Sequence, residues 1–213
     1  MIRAVIFDMD GLLMDSEGVG LRVIQACGRR QGVAISASHV IRTIGANRQW
    51  SEDFYTGLYP TLNTRRLFDD FENEMNRRAQ QGLIPLKKGA KALLEHLRRQ
   101  GVPQAVASSS DPVTIATYLR AAGITDYFAA LVSARGLPSK PAPDVFLKAA
   151  EALKTPPKDC LVLEDSANGV KAGRAAGMQV CMIPDLIPYT DDLAPFCDRV
   201  LSDLSAVIPL VTS

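Results

Sequence analysis

The stretch Ala4-Val5-Ile6-Phe7-Asp8-Met9-Asp10-Gly11 joins a short apolar run directly to two acidic residues and a glycine. The run has the length and the branched and aromatic residues that are typical of a buried strand. Aspartate and glycine are disfavoured inside strands and common in turns, so the strand should end at Phe7. The stretch therefore predicts a first strand with acidic residues at its carboxyl end.

Similar apolar runs recur along the chain, and most are followed by a helical pattern. The runs predict strands at residues 4–7, 104–107, 129–132, 160–163 and 180–183. Apolar residues spaced three or four apart predict helices at 89–99, 143–153 and 166–176. Alternating strands and helices are typical of a parallel α/β sheet. We therefore expect an α/β, Rossmann-like parallel sheet with helices on both faces.

The segment 16–82 interrupts this alternation, because it has no convincing strand and is rich in Arg, Gln, Glu and Asn. Helical patterns within it are predicted at 21–30, 37–44 and 63–81. An all-helical insert after the first strand indicates a second domain. We therefore predict a catalytic core domain of residues 1–15 and 83–213 and a helical cap domain of residues 16–82.

The composition is that of a globular protein, with 47% hydrophobic and 22% charged residues in 213. Twenty-four Lys and Arg against 23 Asp and Glu give a net charge of +1, which attracts neither nucleic acid nor a membrane surface. No secretory or membrane-spanning segment is evident. The four cysteines form no C-x-x-C pair, and neither histidine has a cysteine at zinc-ligand spacing. We expect a cytoplasmic protein whose anionic ligands are held by a local site.

Two pairs of acidic residues are predicted at the carboxyl ends of strands, where open parallel sheets bind ligands. Asp8 and Asp10 would point to the same side if the backbone stays extended, although a simple turn is an alternative. Glu164 and Asp165 follow the fourth strand, where a helix cap is the alternative. Four carboxylates in one pocket would repel each other unless a cation intervenes, and oxygen ligands favour Mg²⁺ or Ca²⁺ over zinc. The two pairs therefore predict a metal site.

Residues suited to binding an anion follow the second and third strands. Ser108 and Ser109 offer hydroxyl and backbone N–H groups at a predicted helix start, although they could instead form an ordinary N-cap cluster. Lys140 precedes Pro141, which restricts the lysine backbone to extended conformations. A surface lysine beside a proline turn is the alternative. Together these residues predict a phosphate-binding site.

These segments, in this order, resemble the haloacid dehalogenase superfamily, and within it the phosphatases and β-phosphoglucomutase-like enzymes that have an inserted helical cap. The resemblance covers essentially the whole chain. It is most specific in Phe7-Asp8-Met9-Asp10-Gly11-Leu12-Leu13-Met14-Asp15-Ser16-Glu17, Ser108, Ser139-Lys140-Pro141-Ala142-Pro143-Asp144 and Leu163-Glu164-Asp165-Ser166-Ala167-Asn168-Gly169-Val170. By this resemblance the fold would carry a phosphoryl-transfer enzyme with a magnesium cofactor.

The resemblance implies a role for each acidic residue. Asp8 would attack phosphorus and form an aspartyl-phosphate, and Asp10 would act as general acid and then general base. Mg²⁺ would be bound by the Asp8 carboxylate, the Asp10 backbone carbonyl and Asp165. Glu164 would support or share this coordination.

The resemblance also implies how phosphate is held. Ser108, with Ser109 beside it, and Lys140 would bind the phosphoryl oxygens. Lys140 would in addition offset the charge on Asp8, which would otherwise repel an anionic substrate. The cap would close over the pocket and exclude water, with hinges near Gly18, Gly20 and Gly82.

Asp10 indicates phosphate esters as substrates, because true dehalogenases lack this second aspartate and ion-pumping ATPases carry threonine there. We expect a monomer that hydrolyses a small phosphorylated metabolite such as a sugar phosphate. A β-phosphoglucomutase is the alternative, although this chain has Ser16 and Gly20 where those enzymes place threonine and histidine. Gly45-Ala46-Asn47-Arg48 does resemble the mutase's sugar-phosphate loop, and Arg48 is a candidate substrate contact. A non-catalytic phospho-acceptor module is a further alternative, disfavoured by the predicted cap.

Overall fold

A computed structural model of the protein describes residues 2–211. The chain forms two compact units, one made by the chain before Ser16 and after Ile84, and the other by Ser16–Ile84. The strands are β1 (Ala4–Phe7), β2 (Gln104–Ser108), β3 (Ala130–Ser133), β4 (Cys160–Glu164), β5 (Gln179–Met182) and β6 (Arg199–Val200). The α-helices are α1 (Ser16–Arg30), α2 (Ala37–Ile41), α3 (Arg48–Leu58), α4 (Thr64–Gln80), α5 (Ala90–Arg99), α6 (Pro112–Ala121), α7 (Asp144–Ala152) and α8 (Ala167–Ala175). Short 3₁₀ helices lie at Thr125–Tyr127, Pro157–Asp159, Asp191–Phe196 and Leu204–Leu210.

The first unit is built on a six-stranded parallel sheet in the order β3-β2-β1-β4-β5-β6. The central strand β1 pairs with β2 on one side and with β4 on the other, so that Phe7 lies opposite Val106 and Leu163. The strand order reverses on either side of β1. In sheets of this kind, ligands bind outside the carboxyl ends of the strands at that reversal. Residues that follow β1 and β4 are therefore placed at the expected binding crevice.

The predicted Rossmann-like α/β fold is confirmed. β3 and β5 each differ from the predicted strand by a shift of one residue, and β6 was not predicted. β6 has only two residues, Arg199 and Val200, and both are exposed, so it leaves no apolar run in the sequence.

The helices of the first unit bury their apolar faces in its core. Leu93, Leu94 and Leu97 on α5 are fully buried, as are Val145 and Phe146 on α7. This burial is what the spacing of apolar residues three or four apart predicts. The three helices predicted in this unit are therefore present, with ends that differ by one residue from the predicted ones.

The second unit consists of α1–α4. The hinge predicted near Gly18 and Gly20 does not lie in a loop, because α1 begins at Ser16 and continues through both glycines. α3 was not predicted. It contains the fully buried Tyr55, which packs edge-to-face on Phe68 of α4. Within residues 2–211, no helix has the length and apolar character needed to cross a membrane.

Candidate active site

The loop after β1 fixes Asp8 at the centre of the sheet's carboxyl edge. The Asp8 N–H donates to the Leu163 carbonyl at 3.0 Å and so continues the pairing of β1 with β4 by one residue. Gly11 has a φ of 80°, a left-handed conformation that favours glycine. It lets the loop fold back, so that the Met14 N–H reaches the Met9 carbonyl at 3.0 Å. Asp8 is buried on this rigid turn, with 6% of its surface exposed.

Lys140 lies between two acidic residues that come from different strands. Its Nζ donates to Asp8 Oδ1 at 2.6 Å and to Glu164 Oε1 at 2.6 Å, and the Ala107 carbonyl lies at 3.4 Å. The ammonium also lies 4.8 Å from the centre of the Phe146 ring. The lysine side chain is only 7% exposed, so it is not the surface lysine of the alternative interpretation.

This burial perturbs both partners of the ion pair. Burial acts to lower the pKa of Lys140, but the charges of Asp8 and Glu164 outweigh it and raise that pKa above its ordinary value. Burial raises the pKa of Asp8 well above its usual range, against the opposing effect of Lys140, while Glu164 and Asp10 raise it further. The lysine therefore stays charged, and the carboxylate form of Asp8 depends on nearby positive charge.

Three buried carboxylates converge at the ends of β1 and β4. Asp8, Glu164 and Asp165 each offer an oxygen, and these oxygens lie within 4.8 Å of one another. An all-oxygen set of this kind fits a hard divalent cation rather than zinc. The side chain of Asp10 does not belong to this group. The geometry therefore allows Asp8, Glu164 at the end of β4 and Asp165 just after it to hold a metal ion.

Glu164 is also bound by the helix that follows it. Its Oε2 accepts hydrogen bonds from the Asp165 N–H at 3.0 Å, the Ser166 N–H at 3.1 Å and the Ser166 hydroxyl at 3.0 Å. Ser166 itself is the N-cap of α8 and accepts from the Gly169 N–H at 3.1 Å. The helix cap is therefore Ser166 and not Asp165, while Glu164 accepts from N–H groups at the helix start and also contacts Lys140.

Asp10 is held by serines at the carboxyl end of β2. The Ser110 hydroxyl donates to Asp10 Oδ2 at 2.8 Å, and the buried Ser108 hydroxyl lies 3.3 Å from the same oxygen. Ser110 was not among the predicted site residues, whereas Ser109, which was, is exposed in the structure. The signal was available, because alternate residues leaving a strand point to the same side.

The start of α6 differs from the predicted anion cradle. Asp111 is the N-cap, and its carboxylate accepts from the Val113 N–H at 2.9 Å and the Thr114 N–H at 3.1 Å. A hydrogen bond from the Thr114 hydroxyl to Asp111 Oδ2 at 2.6 Å lowers the pKa of Asp111 most, and the backbone bonds lower it further. The chain's own carboxylate thus occupies the anion position at this helix end, and phosphate binding by Ser108 and Ser109 stays a prediction.

An ion pair between Lys87 and Asp185 was also missed. The Asp185 side chain is 10% exposed, and its Oδ2 is buried without a hydrogen-bond partner among residues 2–211. One carboxylate oxygen of Asp185 lies within 4.8 Å of one of Asp165. The sequence could have predicted Asp185 at this edge of the sheet, because the residue lies just beyond β5.

Arg48 belongs to the second unit, at the start of α3. Its guanidinium donates to Asp69 at 2.6 Å and to Glu52 and Glu72 at 2.7 Å each. These contacts raise the pKa of Arg48, with the Glu52 hydrogen bond as the largest cause. Its charge is thus offset by three carboxylates, and its predicted contact with substrate stays a prediction.

Known proteins resemble the chain over most of its length. A family model described as haloacid dehalogenase-like hydrolase matches residues 2–177. The bifunctional riboflavin kinase/FMN phosphatase of Arabidopsis thaliana is 32% identical over 204 residues, which cover 94% of this chain but only 53% of that protein. The chain therefore spans about half the length of that relative.

Two further similarities extend over nearly the full length of both proteins. Hexitol phosphatase B of Escherichia coli strain K12 is 33% identical over 208 residues, which cover 96% of this chain and 93% of that protein. The crystal structure of a HAD family hydrolase from Deinococcus radiodurans R1, described with bound phosphate and sodium, is 28% identical with a TM-score of 0.82. That match covers 97% of this chain and 93% of the other.

Proposed function

This chain belongs to the haloacid dehalogenase-like hydrolases, and we propose that it hydrolyses phosphate monoesters of small metabolites with Asp8 as nucleophile. The observation that carries the proposal is the buried contact of Lys140 Nζ with Asp8 Oδ1 at 2.6 Å. A fixed cation beside the nucleophile lets an anionic substrate approach it. The names of two relatives, an FMN phosphatase and a hexitol phosphatase, support a phosphate ester, and the second supports a sugar-like alcohol.

The reaction would proceed in two half-reactions. In the first, a carboxylate oxygen of Asp8 bonds to phosphorus while the bond from phosphorus to the ester oxygen breaks, and Asp10 gives its proton to that leaving oxygen. In the second, the Asp10 carboxylate takes a proton from water as the water oxygen attacks the aspartyl-phosphate. Phosphate then leaves and the Asp8 carboxylate is restored.

The proposed cofactor is Mg²⁺. Asp8, Asp165 and the backbone carbonyl of Asp10 would hold it, with Glu164 supporting this set, and oxygen ligands of this kind suit the ion. When bound, it neutralises the negative charge that gathers on the phosphoryl group and its carboxylate neighbours. The raised pKa of Asp8 supports the need for such a charge.

Phosphate recognition is assigned to Ser108 and Lys140, with Ser109 beside them. The bound phosphate of the Deinococcus hydrolase supports an anion site in this fold. The Ser108 hydroxyl is buried and engaged with Asp10, so it would also couple phosphate binding to the proton donor. The helical unit Ser16–Ile84 is proposed to act as the cap that limits access of water during the first half-reaction.

The proposal is tested by measuring phosphate release from a panel of phosphorylated metabolites with Mg²⁺ and with the metal chelated. We expect activity that requires Mg²⁺ and falls by at least about 10³-fold in Asp8→Asn. Asp192→Asn, at an exposed position of the same unit, is the matched control and should keep full activity. Full activity in Asp8→Asn would show that Asp8 is not the nucleophile.

The same panel separates hydrolase from mutase. β-Glucose 1-phosphate is included, and both phosphate release and formation of glucose 6-phosphate are followed. We expect phosphate to appear and the isomer not to accumulate. Isomer formation faster than phosphate release would show that the enzyme is a β-phosphoglucomutase and not a hydrolase.

A further inference from the structure

Gly169, in the first turn of α8, lies directly against the carboxylate of Glu164. A methyl group added at Gly169 would lie 1.8 Å from Glu164 Cδ, 1.9 Å from Oε1 and 2.2 Å from Oε2. Such distances are far inside contact, so no other side chain fits while the carboxylate stays where it is. Alanine favours a helix interior more than glycine does, so helix formation alone gives no reason for glycine here.

The space beside Gly169 is filled by the Glu164 carboxylate, which hydrogen bonds hold in place. Glu164 is 1% exposed, and its Oε2 accepts three hydrogen bonds from Asp165 and Ser166 at the start of α8. A carboxylate that is buried and bonded in this way cannot move without breaking hydrogen bonds to its partners. The position of the Glu164 carboxylate is therefore set by α8 and by the absent side chain of Gly169.

Glu164 in turn holds the lysine of the proposed reaction. Its Oε1 lies 2.6 Å from Lys140 Nζ, and the same Nζ lies 2.6 Å from Asp8 Oδ1. A shift of the Glu164 carboxylate by the distance that a methyl group requires would draw the ammonium away from Asp8. Misplacement of a reacting or binding group by about 1 Å can cost roughly 100-fold in rate.

A second glycine on the same helix provides the contrast. A methyl group at Gly173 would lie 3.0 Å from a Val180 side-chain carbon and 3.2 Å from one of Val162. Those neighbours are apolar and belong to the core, so Gly173 is explained by close packing of α8 on the sheet. The neighbour of Gly169 is instead a charged group that is part of the site.

We propose that Gly169 is a positioning residue: the room it leaves on α8 holds the Glu164 carboxylate at the distance that keeps Lys140 on Asp8. Gly169 touches neither substrate nor metal in this scheme and acts through Glu164 alone. As far as catalysis is concerned, this inference rests on the proposed function of Asp8 and Lys140.

The first test compares Gly169→Ala with Gly173→Ala. We expect kcat to fall by about 10- to 100-fold in Gly169→Ala, and inhibition by inorganic phosphate to weaken with it. Gly173→Ala should lower the melting temperature by roughly 2–10 °C through overpacking and leave kcat and phosphate inhibition unchanged. Equal effects of the two substitutions on kcat would overturn the proposal.

The second test is a double-mutant cycle with Glu164→Ala. Once the carboxylate is removed, adding Gly169→Ala should change kcat by less than about 2-fold, because both changes act through one group. A further loss of about 10-fold in the double variant would overturn the proposal. If Gly169→Ala does not fold, the double variant should fold as Glu164→Ala does, and failure of the double variant alone would equally overturn it.

A third measurement does not depend on activity. In ¹⁵N-lysine-labelled protein, the ammonium signal of Lys140 is assigned by its loss in Lys140→Met. We expect Gly169→Ala to shift this signal or broaden it, and Gly173→Ala to leave it in place. An unchanged Lys140 signal in Gly169→Ala would overturn the positioning role even if Asp8 proves to be the nucleophile, whereas the expected shift would stand even if Asp8→Asn kept full activity.

Discussion

Lys140 in the α/β unit and Arg48 in the helical unit each contact more than one carboxylate, but their surroundings differ. The Lys140 side chain is 7% exposed and that of Arg48 is 38% exposed. Removing charges from water costs free energy that the pairing does not always return, and exposed pairs contribute little. This difference in burial favours the proposed catalytic role for the cluster around Lys140, whereas the ion pairs of Arg48 are of the exposed kind and link α3 to α4.

The largest expected effect follows from removing the buried cation. Lys140→Met leaves Asp8 and Glu164 buried beside each other without their shared partner. We expect kcat/KM for phosphate release to fall by about 10²–10³-fold and the free energy of unfolding to fall by about 3–5 kcal/mol. Steady-state kinetics and urea denaturation measure the two effects. Retention of both values would show that the buried charges are not coupled.

A smaller effect is expected from the hydroxyl that holds the proton donor. Ser110→Ala removes the 2.8 Å hydrogen bond to Asp10, and we expect kcat to fall by roughly 10-fold, as a bond to a charged group suggests. The fall should exceed that of Ser109→Ala, because Ser109 was predicted beside Ser108 in the phosphate site but is exposed. Ser202→Ala, at an exposed position of the same unit, is the control. A larger loss in Ser109→Ala would reverse the assignment.

The smallest effect is expected in the helical unit. Arg48→Met breaks exposed ion pairs with Glu52, Asp69 and Glu72, so the free energy of unfolding should fall by only about 1 kcal/mol. The difference from wild type should shrink in 1 M salt, where the screening length is about 3 Å. A loss as large as that in Lys140→Met would contradict the comparison. A raised KM with unchanged kcat would instead support the predicted substrate contact.

The sequence predicted the sheet well because buried strands in an α/β fold leave continuous apolar runs. It also located Asp8, Asp10, Lys140, Glu164 and Asp165, since residues that follow parallel strands must share one edge of the sheet.

It failed where position depends on the backbone of a loop or on packing between distant segments. Ser110 was missed because it shares a side with Ser108 only while the backbone stays extended, and three serines in a row do not show how far the strand continues. Asp185 pairs with Lys87, which is 98 residues away in the sequence, and no local sequence pattern predicts that contact. The clash that makes Gly169 necessary is likewise visible only when α8 is placed against the end of β4. α3 was missed because its exposed residues mix aromatic and charged types without a clear apolar face.

If Asp8 is the nucleophile, it becomes covalently phosphorylated during turnover. Wild-type protein mixed with substrate and Mg²⁺, quenched in acid and digested, can be analysed by mass spectrometry for the peptide that contains Asp8. We predict that this peptide gains the mass of one phosphoryl group, and that the gain is absent in Asp8→Asn. Phosphate release by the wild type with no such gain, or with the gain at another residue, would show that Asp8 is not the nucleophile.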